Sequence, residues 1–160
     1  MNHDLLILAA AGWLRKKQQS IVITDLVSNG YEIPDAIGFA TRGTTLVEVK
    51  VSRSDFLADR EKPWRRDPER GMGNYRYYLT TPGLIKAEEL PEKWGLLELT
   101  AQKMRVIKEA SFRQSNQTSE IRLLMSAMRR IAHQSPAGIA VNCYTIPNPK
   151  AKATLGIKPL

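Results

Sequence analysis

The sequence predicts an α/β domain with a mixed central β-sheet flanked by helices. Three observations carry that expectation. Apolar residues recur at helical spacing near both ends, over 3–18 and 119–133. Between them lie β-branched runs such as 21–27 and 44–51. The turn residues around Arg42-Gly43 join two of those runs as an antiparallel hairpin. At 160 residues, 42% hydrophobic and 25% charged, the chain is long and apolar enough to bury a core, which excludes a disordered polypeptide.

Taken in order, the first helix spans 3–18, with Leu5, Leu6, Leu8, Ala9 and Trp13 on its apolar side. A strand follows over 21–27, ended by Ser28-Asn29-Gly30. Residues 33–39 and 44–51 form the hairpin, and 54–60 a short helix. The segment 61–74, rich in Pro, Gly and charge, reads as a loop. Strands are expected over 76–81, 95–100 and 103–109. The last helix, 119–133, repeats Ile121, Leu124, Met125, Met128, Ile131 and Ala132 on one face, with Thr118 as N-cap. Beyond Pro136 the chain reads as loosely packed. The organisation expected is a core over 1–110 and a basic helical extension over 111–160, packed on that core or on a partner.

One cysteine, Cys143, excludes an internal disulfide, so a reducing, cytoplasmic setting is the natural expectation. The apolar run 5–14 is too short to span a bilayer, and Arg15, Lys16 and Lys17 follow it where a signal peptide has none, so no membrane role is expected. His3 and His133 are too far apart in sequence to suggest a metal pair. The charge is segregated. Residues 1–100 hold 14 basic and 14 acidic residues, whereas 101–160 hold ten basic and two acidic, the whole excess of +8. Segregated positive charge favours a polyanionic partner, although a solubilising tail has the same composition.

The chemistry concentrates in the hairpin. Glu48 and Lys50, two apart on a strand, share one face, while Val47, Val49 and Val51 share the other. Pro34-Asp35 opens the partner strand and brings a second carboxylate alongside. Two carboxylates converging with a backbone carbonyl form an all-oxygen site suited to Mg²⁺ or Mn²⁺. A neighbouring ammonium can orient the attacking water, help deprotonate it, or offset phosphate charge. A charged pair on a half-exposed strand is also what a solvated sheet face looks like. The apolar setting of Leu46-Val47 and Val49 argues for a central strand, where such a pair is costly without a function.

Pro34-Asp35 followed by Glu48-Val49-Lys50 resembles the signature of the PD-(D/E)XK nuclease superfamily, and the helix–three strands–helix–strand order is similar to its restriction-endonuclease-like core. The run Val51-Ser52-Arg53-Ser54-Asp55-Phe56-Leu57-Ala58-Asp59 resembles the MmcB-type bacterial DNA-repair branch. Together with Gly71-Met72-Gly73-Asn74-Tyr75-Arg76-Tyr77-Tyr78, Gly83-Leu84-Ile85 and 90–97, it also resembles uncharacterised phage and prophage proteins. The resemblance covers about residues 3–110. It implies Asp35 and Glu48 as metal ligands, Val49 as a carbonyl ligand and Lys50 as the catalytic lysine. Asp25 is the candidate extra acid, one methylene shorter than the glutamate usual there, and Glu32 is a second candidate.

Arg53, Lys62, Arg65, Arg66 and Arg76 are the candidate nucleic-acid contacts. Arg53 and Asp55 equally suit the start of a helix, with Asp55 and Asp59 as surface charges. Arg65 and Arg66 equally suit a solvated loop shared with Glu61, Asp67 and Glu69. Trp64 suits stacking on an unpaired base or packing on the sheet. The expectation is thus a Mg²⁺- or Mn²⁺-dependent nuclease acting on DNA, in repair, recombination or phage DNA metabolism. Its rivals are a non-catalytic nucleic-acid-binding module of the same fold and a phage protein that targets a host protein. A homodimer is open to such a chain.

Overall fold

The structure, a computed structural model, describes residues 2–26, 28, 32–101, 103–132 and 141–143, with 132 and 141–143 described by their backbone. His133 and the Pro- and Lys-rich stretch 144–160 lie outside them. The architecture is α/β: a mixed sheet of seven strands in the order β6-β5-β4-β3-β2-β1-β7. The strands are β1 (Ile21–Thr24), β2 (Ala36–Ala40), β3 (Gly43–Val49), β4 (Tyr75–Thr80), β5 (Trp94–Leu99), β6 (Met104–Lys108) and β7 (Val141–Cys143). The hairpin expected at Arg42-Gly43 is present, with Ala36 opposite Val47 and Ala40 opposite Gly43. β3, β4 and β5 run parallel, so β3 is central and its alternation divides two cores.

One core lies under α1 (His3–Lys16). Leu6, Ile7, Ala10, Ala11 and Leu14 meet Val22, Ala36, Val47, Val49, Tyr77, Leu79 and Leu97. The buried stripe of α1 therefore differs from the one expected: Leu5 and Leu8 face outward. Where every residue from 5 to 12 is apolar or glycine, hydrophobicity cannot fix the phase of the helix. The other core holds Ile23, Ile37, Leu46, Tyr78, Trp94 and Leu96. It is covered by Phe56 of α2 (Arg53–Arg60), by the 84–90 connection, and by Leu123 and Ala127 of α4 (Gln117–Ala132). The C-terminal extension as far as α4 thus shares the core of the sheet.

Four further expectations change. The 61–74 segment contains a helical turn, α3 (Pro63–Arg66), and a 3₁₀ turn, Pro68–Arg70. Asn116, not Thr118, caps α4: its Oδ1 accepts from Ser119 N at 3.0 Å. α4 buries Ser119, Glu120, Leu123 and Ala127, leaving the apolar stripe Ile121, Met125, Met128 and Ile131 exposed. Glu120 turns this face inward by accepting from Thr44 Oγ1 (2.8 Å) and Gly73 N (2.9 Å). Beyond Pro136, Val141–Cys143 pairs with β1 as an edge strand.

Candidate functional site

β3 ends by delivering Glu48 and Lys50 to the α2 face of the sheet. Both are buried, at 2% and 3% exposure. The period-two alternation that puts Val47 and Val49 under α1 leaves them no other side. Lys50 N–H continues the parallel pairing by donating to Leu79 O at 2.9 Å, so the lysine is fixed by its backbone.

Asp35 immediately precedes β2 and the Ala36–Val47 pair. Its Oδ2 accepts from Val49 N at 2.7 Å, so one carboxylate binds the backbone of the residue between Glu48 and Lys50. Its Oδ1 lies 3.6 Å from His3 Nε2, at the start of α1. Asp25 sits just past the end of β1 in left-handed backbone (φ 50°), and its N–H donates to Asp35 O. Burial and the neighbouring Asp35 push the Asp25 carboxyl up. The expected acids therefore gather at one end of the sheet, with Asp25 beside Asp35.

Behind them lies a buried charge network that the sequence concealed. Arg65 of α3, its side chain 1% exposed, bonds Glu32 and donates from Nε to Asp59 Oδ2 at 2.7 Å. Its Nη2 is 3.2 Å from Glu48 Oε1, but neither atom has a hydrogen-bond partner among the described residues. The guanidinium also packs on Trp94, 4.6 Å from the ring centroid. Asp59 Oδ2 further accepts from Tyr78 OH at 2.7 Å, and Lys62 Nζ lies 2.7 Å from Asp59 Oδ1. Lys50 Nζ stands 3.4 Å from Asp59, 3.6 Å from Glu48 and 3.7 Å from Asp55.

The electrostatics follow. Burial pushes the Glu48 carboxyl up to about 7, Arg65 and Lys50 opposing it while Asp35 and Glu32 add to it. Burial alone would lower the Lys50 ammonium, but Glu48, Asp59, Asp55 and Asp35 outweigh it and hold the pKa above the usual lysine value. Lys50 is accordingly a cation at neutral pH. Asp59 is held well below the usual carboxylate range, burial being outweighed by Arg65, Lys50 and bonds from Lys62 and Tyr78.

Six carboxylates (Asp25, Glu32, Asp35, Glu48, Asp55 and Asp59) thus gather near three cations (Lys50, Lys62 and Arg65), so negative charge is in excess when all are ionised. Asp35, Glu48 and the Val49 carbonyl are oxygen donors of the kind a divalent cation such as Mg²⁺ takes. Among the described residues no group of three or more His, Cys, Asp or Glu is disposed to hold a metal.

The expected nucleic-acid contacts divide. Arg53 pairs with Glu89 through two bonds of 2.6 and 2.7 Å and Arg66 with Glu61, both at the surface, while the half-exposed Lys62 pairs with the buried Asp59. Arg65 and Arg76 are not surface contacts, and both expectations are corrected. Arg76 is 1% exposed and donates to the carbonyls of Pro68, Gly71 and Gly73. It fixes the 68–73 turns, just as Arg65 fixes the charge network. Asp59, expected at the surface, is 1% exposed, and Glu32 is buried, bonding Arg65 and Met72 N. The Phe56 and Asp59 spacing, one helical turn, was the available signal for an inward Asp59.

No known family profile matches this chain, and no curated protein matches it. Among solved structures, a protein of unknown function from Silicibacter pomeroyi has the same fold, with a TM-score of 0.61 and 23% identity over 83% of this chain and 91% of that one. Among the described residues no helix is long and apolar enough to cross a membrane.

Proposed function

We propose that this chain is a Mg²⁺- or Mn²⁺-dependent nuclease hydrolysing DNA phosphodiesters, as its resemblance to the PD-(D/E)XK superfamily implies. One observation carries the reading: Glu48 and Lys50 are buried side by side at the end of a central strand, with Asp35 binding the backbone between them and negative charge in excess. A charge cluster of this cost is hard to account for as packing alone. A divalent ion held by Asp35, Glu48 and the Val49 carbonyl would polarise the scissile phosphate and acidify a bound water. Lys50, protonated and braced by Glu48, Asp55 and Asp59, offsets charge on the phosphate and orients the water rather than taking its proton. Asp35, through Val49 N–H, sets the register of the whole group.

The test is metal-dependent cleavage of single-stranded, duplex and branched DNA. Lys50→Ala and Glu48→Ala should each lower the rate on the order of 10²–10³-fold. Cleavage left intact by Glu48→Ala would place the activity elsewhere. A second reading, a nucleic-acid-binding module that retains the fold without cleaving, is favoured by Arg65 lying against Glu48 Oε1, where a guanidinium neutralises the carboxylate. That reading predicts DNA binding unchanged by chelator and no cleavage with either metal.

A further inference from the structure

A second pocket opens at the other end of the sheet and on its other face. Its cavity of ≈ 390 Å³ lies between the C-terminus of α1 and the β2–β3 turn, lined by Trp13, Lys17, Gln18, Gln19, Arg42 and Tyr75 among others. Thr45, which also lines it, precedes Lys50 by five residues on β3, roughly 16 Å along a strand. The two regions are therefore separate.

Among the described residues no carboxylate lines this pocket. The carboxylate that reaches its wall, Glu109, accepts from Tyr77 OH at 2.6 Å. Lys17 Nζ lies 5.5 Å from the Trp13 ring centroid, and Arg42 Nη2 lies 3.5 Å from Gln18 Oε1. Around the charge network every exposed cation described above has an acidic partner; Lys17 and Arg42 have no ion pair among the described residues. Aromatic surface comes from Trp13, edge-on to Tyr77 at 5.1 Å, and from the half-buried Tyr75. Gln19 Oε1 is buried with no hydrogen-bond partner among the described residues. Its side chain lies on the β2 backbone at Gly38, where a Cβ would come within 2.5 Å of Gln19 Cγ. Gln18 holds left-handed backbone (φ 61°) at a helix end where glycine is the unstrained choice. Two cations without acidic partners beside aromatic faces call for one ligand chemistry.

We infer that this pocket binds a single nucleotide, its phosphate at Lys17 and Arg42 and its base against the aromatic wall. The volume suits one small ligand and not a duplex. The source is either a free mononucleotide or an unpaired nucleotide of a strand.

Titration calorimetry with the four 5′-deoxynucleoside monophosphates, a short oligo(dT) and inorganic phosphate tests it. Saturable monophosphate binding assigns the free ligand; saturable oligo(dT) binding alone assigns the strand. In either case Lys17→Glu with Arg42→Glu should weaken it about tenfold or more. The titrations are run with EDTA present, where the nuclease reading predicts no cleavage, so failure of that reading and failure here are distinguishable. Gln18→Gly relieves the strained backbone, so its melting temperature should hold or rise while affinity falls. The inference is overturned if neither probe binds saturably. Binding that is indifferent to the double charge reversal overturns it too, as does phosphate binding as tightly as the nucleotides.

Discussion

Glu48 titrates in the reverse sense from a surface carboxylate, because the fold desolvates it more than Arg65 and Lys50 compensate. Between its ordinary 4.5 and about 7 the folded chain holds this proton more tightly than the unfolded chain. Its contribution to stability therefore falls across that window and stays lost above it. Glu48→Gln should melt at a higher temperature than wild type at pH 8 and at nearly the same temperature below pH 4.5, measured by calorimetric scans. Asp59 has the opposite sign: its depressed pKa contributes stability above the ordinary carboxylate value, lost as pH falls below it. If metal binding needs ionised Glu48, metal affinity should rise as pH is raised and that carboxyl loses its proton, read by metal titration at several pH values. Arg65 is the residue on which these carboxylates depend. Arg65→Leu leaves Glu32, Glu48 and Asp59 facing one another and should cost about 3–5 kcal/mol in denaturant unfolding.

At the scale of elements, β3 was legible because strand geometry leaves little choice. Once Val47 and Val49 are buried under one helix, Glu48 and Lys50 must share the other face. The hairpin was legible for the same reason, from turn residues and alternation. α2 announced its buried acid only through the Phe56–Asp59 spacing, and α3 not at all, since burial of Arg65 depends on partners far along the chain, Glu32 and Glu48. The stripe of α4 misled, because hydrophobicity read alone ignores that Glu120 has two buried donors waiting at Thr44 and Gly73. Gly73 belongs to the same joint. Its φ is +86°, and a Cβ there would stand 2.7 Å from Leu46 Cβ. Gly73→Ala should therefore destabilise by about 1–3 kcal/mol, with a lower denaturant midpoint, and release α4 first.

For the whole molecule, charge and site are offset. The near-neutral 1–100 region carries the candidate site, and its outer cations Arg53, Lys62, Arg66 and Arg70 already have acidic partners. The exposed Arg105 and Lys108 of β6 have no ion pair among the described residues. Arg105→Glu with Lys108→Glu should thus weaken DNA affinity more than Arg66→Glu, and flatten the salt dependence by about one unit of log–log slope per lost phosphate contact, read by fluorescence anisotropy. This offset was visible in the sequence as segregated charge, whereas the pairing of the outer cations was not. The Glu32 carboxylate has a kinetic corollary. It clasps Arg65 and the Met72 amide at once, so 61–74 and the strand-end charges open together or not at all. In deuterium exchange the amides of Met72 and Lys50 should then share one opening free energy, and Glu32→Gln should lower both in step while the α1 amides keep their protection.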